Sequence, residues 1–335
     1  MVSRKICICG NVFGQDGYSA HIRFLAESLS DLGYEVSIDC LKNPGWELGI
    51  PDKLFKILSN PITNDTVIFV GLPPYWTLKV MEKPKHFIGF FVWEGSNIPK
   101  YFLEHMNNDK INQIWVPSLH TKNAILNTSL EGVDIDKINE KIFIVPEGVD
   151  TDLFIKNKVE RTDRFTFVAN KGWSEGINDR GGIQYVLKAF SEEFKKEEPV
   201  ILLLKINMAY CQPGWNINNE LNKLNIDITK CPEIQWGLQN ISYKDLPNMI
   251  YNKGDCFLCP SRCEAFGLTM VEAMACSLPI ITTNYGAQVE YIKENETGFL
   301  IDYKLEEVKN GLYEGISWAT PNVEELKKRM RWAFN

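Results

Sequence analysis

Two glutamates in the last third of the chain, Glu264 and Glu272, stand eight residues apart. Glu272 is the only charged residue between Glu264 and Glu290, and it lies in a strongly apolar run. A carboxylate among apolar side chains is costly unless strong hydrogen-bond donors meet it. The spacing alone fits several structures: hydroxyl-binding carboxylates, the polar edge of an ordinary helix, a structural bond from Arg262, or the carboxyl pair of a glycoside hydrolase.

The residues between the two glutamates indicate what else this segment could bind. Gly267 stands where a helix is expected to begin, and its lack of a side chain lets an anion approach the backbone closely. Helix N-termini favour phosphate through their unpaired N–H groups and the helix dipole. The segment is therefore expected to hold a diphosphate at backbone amides and hydroxyl groups at the two carboxylates.

Predicted strands and helices that could position this segment alternate along the whole chain. A length of 335 residues predicts about two domains. In the first half, an apolar run, a glycine-containing loop and a helically spaced apolar segment precede an alternating run, which predicts a β-loop-α-β unit. The predicted strands of this half are 5–10, 35–40, 66–71, 86–92, 113–116 and 142–146.

A second alternating series follows the charged stretch 156–164. Its predicted strands are 165–169, 200–206, 233–237, 255–259, 279–282 and 298–301, and its predicted helices are 182–195, 216–224, 242–251, 268–276 and 288–294. Strands that alternate with helices predict a doubly wound parallel sheet, with ligands at the carboxyl ends of the strands. The predicted organisation is a first Rossmann-like domain 1–155, a linker 156–164, a second Rossmann-like domain 165–320, and the start of a final helix 321–335 that is cut short.

Composition narrows the class of protein. The formal net charge of −7 offers no electrostatic argument for a nucleic-acid partner. The chain contains no apolar stretch near the ~20 residues of a membrane span. Its nine cysteines are odd in number and fall mostly in strand-like runs, which favours free thiols in a reducing compartment. We therefore expect a cytoplasmic protein.

Two kinds of possible metal site are set aside. The spacing of Cys256, Cys259 and Cys263 resembles a cluster motif, but the first two fall in and just after an apolar strand and no fourth ligand is adjacent. The pairs 134–136 and 150–152 contain Asp-x-Asp, each within a loop. We expect no bound metal, and of the histidines only His21 lies near a proposed site.

A longer match sharpens the interpretation. The run 260–292, followed by Glu296-Thr-Gly-Phe-Leu300, resembles the donor-site signature of retaining glycosyltransferases of family GT4, which have the GT-B architecture. The segment Pro146-Glu-Gly-Val-Asp-Thr-Asp-Leu-Phe154 resembles that family's interdomain connection, and Trp115-Val-Pro-Ser118 its preceding strand and loop. The resemblance implies two Rossmann-like α/β domains that face a central cleft.

The resemblance also assigns roles to residues of the signature. Glu264 would contact hydroxyls of a donor sugar, and Glu272 the ribose of its nucleotide. The backbone amides of Phe266, Gly267 and Leu268 would contact the sugar and the diphosphate. The co-substrate implied is a nucleoside-diphosphate sugar.

Further donor-site residues are implied in neighbouring loops. The family's basic pair on the diphosphate corresponds to Lys171 and Arg180, although the chain has Gly181 where relatives usually carry a lysine. Such a pair would stabilise charge on the leaving phosphate, the task of a metal in other transferases. No cofactor or essential metal is therefore expected. The loop ending at Asn240 would flank the base, and solvated loop charges are the alternative for the basic pair.

Two features of the first half complete the predicted site. The turn containing Gly14 and Gly17 resembles the family's loop that faces the donor phosphates and the acceptor, although such glycines often mark only a tight turn. Glu94 follows an apolar strand where many relatives have a histidine. It is a candidate base for the incoming hydroxyl or, alternatively, a surface glutamate.

Together these features predict a metal-independent, retaining hexosyltransferase acting on a hydroxyl acceptor, which could be a glycan, a lipid-linked molecule or a small molecule. A lipid-linked acceptor would bring the protein to the cytoplasmic face of a membrane. The alternatives are a catalytically silent sugar-nucleotide-binding subunit and a phosphorylase or hydrolase on the same fold.

Overall fold

The computed structural model describes residues 4–14, 16–41, 52–211, 213–309 and 311–335. The chain forms two compact units. The first unit comprises residues 1–148 and 308–317, and the second comprises residues 149–307 and 318–335. Among the helices described, none is both long and apolar enough to cross a membrane.

The first unit is built on a six-stranded parallel sheet with the strand order β2-β1-β3-β4-β5-β6. Its strands are β1 (Lys5–Gly10), β2 (Glu35–Cys40), β3 (Thr66–Val70), β4 (His86–Phe90), β5 (Gln113–Val116) and β6 (Ile142–Ile144). Its helices are α1 (Gly17–Asp31), α2 (Asp52–Leu58), α3 (Pro73–Val80), α4 (Lys100–Met106), α5 (Leu119–Leu126) and α6 (Ile135–Asn139). The central strands are buried without alternation, as expected where helices cover both faces of a parallel sheet.

The second unit contains another six-stranded parallel sheet, with the order β12-β11-β10-β7-β8-β9. Its strands are β7 (Phe165–Lys171), β8 (Val200–Ile206), β9 (Ile234–Gly237), β10 (Cys256–Cys259), β11 (Ile280–Thr283) and β12 (Gly298–Ile301). Its helices are α7 (Ile183–Glu193), α8 (Ile217–Lys223), α9 (Leu246–Met249), α10 (Leu268–Ala275) and α11 (Val323–Phe334). A separate two-stranded sheet pairs β13 (Tyr303–Glu307) with β14 (Ser317–Pro321).

The order of the second sheet reverses between β7 and β10. From β7 the chain builds outward through β8 and β9, and then returns to place β10, β11 and β12 on the other side. In open parallel sheets, ligands bind outside the carboxyl ends of the strands at such a reversal, because the flanking loops diverge there. The loops after β7 and β10 are therefore the first place to look for a site.

The predicted pair of Rossmann-like sheets is confirmed, with six strands in each half at or near the predicted positions. The predicted helix 288–294 is instead a single short 3₁₀ turn, Ala287–Glu290. The ladder of β13 and β14 was not predicted.

The segment 308–317 was placed in the second domain by the sequence, whereas the structure assigns it to the first unit. Ile316 is buried in the first unit's core, and the ring of Tyr313 stacks on Trp93 with a centroid distance of 4.5 Å. Helix α11 was expected to begin a crossing back to the first domain. It packs on the second unit, where Leu326 and Met330 are buried in the core beside α7.

The start of β12 provides a test of the second sheet. A Cβ atom on Gly298 would lie 2.1 Å from the backbone oxygen of Ile280, its partner on β11. Because backbone cannot rotate away as a side chain can, Gly298→Ala should separate the two strands. We expect the free energy of unfolding to fall by about 1–3 kcal/mol.

Gly148→Ala is the matched control, since no atom of the described residues lies within 4 Å of the added methyl group. Calorimetric melting of both variants checks the prediction. Equal melting temperatures for Gly298→Ala and Gly148→Ala would show that the strands accommodate the methyl group without cost.

Candidate functional site

A buried ion pair lies at the reversal point of the second sheet. Lys171 is the last residue of β7, and its Nζ donates to Glu264 Oε1 at 2.8 Å from the loop that follows β10. Arg180, in the loop before α7, places its guanidinium 3.7 Å from the same oxygen. The structure thus brings together three predicted site residues from three separate loops or strand ends, with two cations facing one carboxylate.

Burial and charge act in opposite directions on Glu264, which is 8% exposed. Burial disfavours the ionised carboxylate, but the charges of Lys171 and Arg180 outweigh it, so the pKa of Glu264 lies below its usual value. The glutamate therefore stays ionised at neutral pH. The site holds an organised set of charges inside the protein.

The position of Arg180 depends on the loop between β7 and α7. The buried Asp179 side chain accepts hydrogen bonds from the backbone N–H of Ser174 at 2.7 Å and of Gly181 at 2.7 Å. The Arg180 guanidinium also donates to the carbonyl of Cys263 at 2.7 Å, directly beside Glu264. The Asp179 carboxylate therefore acts as a brace for the basic loop.

A glycine contact brings this loop close to β10. Gly182 has a φ of +88°, and a Cβ atom there would lie 2.3 Å from the carbonyl oxygen of Pro260. The sequence placed a glycine pair after Arg180, and the second glycine allows α7 to begin against the residues that lead to Glu264. A side chain at this position would push the two loops apart.

Glu272 is 3% exposed on α10 and meets two phenols. Tyr243 donates to Glu272 Oε1 at 2.5 Å, and Tyr251 donates to Oε2 at 2.5 Å. Asn170 donates in turn to the Tyr251 oxygen at 3.0 Å. Burial raises the pKa of Glu272 to about 7, although both phenol bonds and the charge of Lys171 lower it.

Arg262 does not supply the donor that Glu272 needs, so the structural alternative weighed from the sequence is wrong. Its guanidinium instead pairs with Glu306 at 3.2 Å and donates to the carbonyl of Ala319. It also lies over the ring of Trp318, 5.5 Å from the centroid. Arg262 therefore holds β14, the strand that follows segment 308–317. The two tyrosines are the donors to Glu272.

The backbone start of α10 lies between the two glutamates, as predicted. Gly267 occupies the N-cap position with a φ of +96°, and no side chain caps the helix there. The Tyr291 hydroxyl donates to the carbonyl of Phe266 at 2.6 Å, which holds the approach to the helix. The amides of Gly267 and Leu268 thus begin a helix beside Glu264, a geometry that suits an anion.

The remaining predicted residues are more dispersed. Asn240 is exposed in the loop after β9. In the first unit, the backbone N–H of Gly14 donates to Ser19 Oγ at 3.1 Å, and Gly17 is the first residue of α1. Gln15 of the same turn lies outside the described residues.

Glu94 also belongs to the first unit. It is half-buried and accepts a 2.6 Å bond from the Tyr313 hydroxyl, which the inserted segment supplies. His21 is buried against Phe90, with a ring centroid distance of 4.3 Å, and burial lowers the pKa of its imidazole to about 4. The imidazole of His21 is therefore neutral at pH 7 and part of the packing around Phe90.

The cysteines that resembled a cluster motif are buried free thiols. Burial raises the pKa of the Cys259 and Cys276 thiols, the latter to about 11. Within the described ranges no group of three or more His, Cys, Asp or Glu side chains is arranged to hold a metal ion.

Sequence reasoning missed several residues that shape this site. Tyr243 and Tyr251 donate to Glu272, and Asn170 donates to Tyr251. Asp179 holds the loop of Arg180, and Tyr313 donates to Glu94. The apolar run around Glu272 did signal that donors must exist. It did not identify them, because the tyrosines precede Glu272 by 29 and 21 residues.

Comparisons with known proteins bear on the second half most directly. Residues 177–333 match the family model described as "Glycosyl transferases group 1". The chain is 28% identical over 177 residues to a probable sucrose-phosphate synthase of Thermosipho melanesiensis, covering 51% of this chain and 39% of that protein. It is 33% identical over 101 residues to spore coat protein SA of Bacillus subtilis, covering 29% and 26%. The chain thus spans well under half the length of these relatives.

Solved structures resemble the whole chain. A glycosyltransferase from Rickettsia africae superposes with a TM-score of 0.66 at 18% identity, covering 100% of this chain and 89% of that one. HepE from Anabaena, solved with UDP-glucose, gives 0.63 at 13% identity, covering 99% and 90%. At these identities the likeness shows the fold, and the predicted GT-B class is confirmed.

The raised pKa of Glu272 makes a prediction about stability. Its ordinary value is 4.5, so between about pH 4.5 and pH 7 the folded chain keeps a proton that the unfolded chain releases. This contribution to stability is fully present below about pH 4.5 and is lost as the pH rises through about 7. Glu272→Gln cannot ionise and should gain melting temperature relative to the wild type between about pH 5 and pH 8.

Thermal melting of the wild type and Glu272→Gln at both pH values measures this gain. Glu197→Gln, on an exposed loop, controls for the loss of one negative charge. A difference between wild type and Glu272→Gln that is the same at both pH values would contradict the assigned shift.

Proposed function

We propose that this protein transfers a sugar from a nucleoside-diphosphate donor to a hydroxyl acceptor, because residues 177–333 match the glycosyl transferases group 1 family model and the chain has the GT-B fold. The proposed sugar is of the hexose type, and the anomeric configuration is retained. The acceptor is a glycan, a lipid-linked molecule or a small molecule.

The observation that carries the proposal is the group formed by Lys171, Glu264 and Arg180 at the reversal of the second sheet. Two cations meet one carboxylate, so the group has an excess of positive charge toward a ligand. A donor diphosphate would take over the two cations, and the released Glu264 oxygens would accept hydrogen bonds from sugar hydroxyls. The α10 amides would complete the anion site.

The same cations would assist the chemistry. Negative charge builds on the diphosphate as the bond to the sugar breaks, and donors already in place stabilise it without reorganisation. Lys171 and Arg180 would supply this charge, and we therefore propose that no metal is essential. The leaving phosphate would help to remove the acceptor's proton on the face where the new bond forms.

Glu272 would bind the nucleotide without taking part in bond cleavage. Its carboxyl oxygens are held by Tyr243 and Tyr251, and each oxygen has a second lone pair for a ribose hydroxyl. Asn240 would lie beside the base. The pair of carboxylates thus serves recognition, which distinguishes the proposal from glycoside hydrolysis.

The first unit would provide the acceptor side. Glu94, held by Tyr313, is proposed as the acceptor-side group that hydrogen-bonds the incoming hydroxyl and takes its proton, with the leaving phosphate assisting by a hydrogen bond to the same hydroxyl. The turn at Gly14 and Gly17 would approach the donor phosphates through its backbone. HepE, a protein of the same fold, was solved with UDP-glucose, which supports a nucleotide-sugar donor.

Donor binding and turnover test the proposal. UDP-, GDP- and ADP-hexoses are screened for a rise in melting temperature, which reports binding to the folded state. We expect one nucleotide class to stabilise the wild type, and Arg180→Met to lower the rate of sugar transfer by about 100- to 1,000-fold because it removes a donor to the leaving group. The anomeric configuration of the product is read by NMR.

Lys188→Met, on the exposed face of α7, is the control for the loss of a cation. Donor binding without turnover on a broad acceptor panel would indicate a sugar-nucleotide-binding subunit. Release of free sugar without acceptor would indicate a hydrolase. Wild-type turnover in Arg180→Met would refute the assigned role of the basic pair.

A further inference from the structure

Lys205 is a buried lysine in the middle of the second sheet, outside the group described above. It is the penultimate residue of β8 and 5% exposed. Its register partners are Asn170 on β7 and Gly237 on β9. The surrounding strand, Val200–Ile206, is otherwise entirely apolar, so the sequence offers no structural reason for a cation at this position.

The ammonium group of Lys205 is incompletely satisfied. Its Nζ donates to the backbone oxygen of Ile206 at 3.0 Å, and within the described ranges no carboxylate forms an ion pair with it. An ammonium carries three N–H donors and no acceptor. Burial lowers the pKa of this lysine, and the nearby Cys211 opposes the shift without cancelling it. A cation held in this way destabilises the ligand-free protein.

The side chain lies on the Glu272 side of the sheet. Residues in register on neighbouring parallel strands point to the same face, so Lys205 shares the face of Asn170. The Asn170 amide bonds the Tyr251 hydroxyl, which bonds Glu272. The bond to the last carbonyl of β8 brings the ammonium to the carboxyl end of the strand, where ligands of such sheets bind.

The direction of a bound nucleotide follows from these positions, given the proposed function on which this step rests. The diphosphate would lie at Lys171 and the ribose at Glu272. The phenols on Glu272 come from the segment after β9, so the nucleotide would run from the reversal point toward β8 and β9. There Gly237 leaves space beside Lys205, with the aliphatic part of the lysine 3.4 Å from the position of a Cβ atom.

We propose that Lys205 donates a hydrogen bond to a carbonyl oxygen of the donor's base and so selects uracil or guanine over adenine. Uracil and guanine present an exocyclic oxygen acceptor, where adenine presents an amino group that cannot accept from an ammonium. The carbonyl oxygen of the base would accept a hydrogen bond from an N–H group of Lys205 that the described part of the protein leaves unsatisfied. Lys205 is then a specificity residue that does not touch the reacting atoms.

Replacing Lys205 should weaken nucleotide binding without lowering the stability of the ligand-free protein. Lys205→Met keeps the length of the side chain and removes its donors. We expect it to weaken binding of UDP or GDP, whichever the wild type prefers, by about 10- to 100-fold, the range for a bond with one charged partner. Binding of ADP should change less than about 3-fold. The ligand-free melting temperature should equal or exceed that of the wild type.

The experiment is titration calorimetry of UDP, GDP and ADP with wild type, Lys205→Met and Lys188→Met, together with ligand-free melting curves. Lys205→Gln, which keeps an N–H donor without the charge, should bind with intermediate affinity and serves if the methionine variant does not fold.

Two results would overturn the inference about Lys205 and leave the proposed function intact. Unchanged UDP or GDP affinity in Lys205→Met would show a structural lysine, and equal losses for ADP and UDP would show a phosphate contact. A wild type that binds none of the three nucleotides would overturn the proposed function, and the inference with it.

Discussion

The ion pair between Lys171 and Glu264 is the interaction on which the site of the second unit depends. Taking two opposite charges out of water costs more than their attraction returns unless further donors complete the geometry. Arg180 supplies a second cation, and the Asp179 brace holds the loop that presents it. The close contact at Gly182 then joins this loop to the residues that lead to Glu264. The loops after β7 and β10 are therefore coupled through charge as well as through packing.

Three buried ionisable groups of the second unit differ in how their charge is compensated. Glu264 remains ionised because cations face it, and Glu272 shares short bonds with two phenols while its pKa rises to about 7. Lys205 donates to a backbone carbonyl and is the least compensated of the three. Incomplete compensation is expected where a site is organised for a ligand, because the ligand provides the missing partner.

The elements differ in how far they could be predicted. Buried parallel strands are continuous apolar runs between loops, so all twelve strands of the two large sheets were found at or near their observed positions. The residues 308–317 were not assigned correctly, because their return to the first unit depends on Tyr313 and Ile316 fitting a distant core. The alternative that Arg262 bonds Glu272 was also wrong. Proximity in sequence suggested Glu272, whereas the fold placed Glu306 and the ring of Trp318 beside it.

The sequence by itself determined the class of fold and the start of a helix at Gly267, because both follow from local periodicity. It also determined that Glu272 must have hydrogen-bond donors, because burying an unpaired charge is costly. Tertiary structure decided which donors those are, which carboxylate pairs with Lys171, and that Lys205 lies in register with Asn170 with a backbone carbonyl as its partner. Side chains far apart in sequence meet only after parallel strands have set their register, and no local pattern records that register. The two glutamates that stood out by spacing therefore acquired different roles from partners that the spacing could not identify.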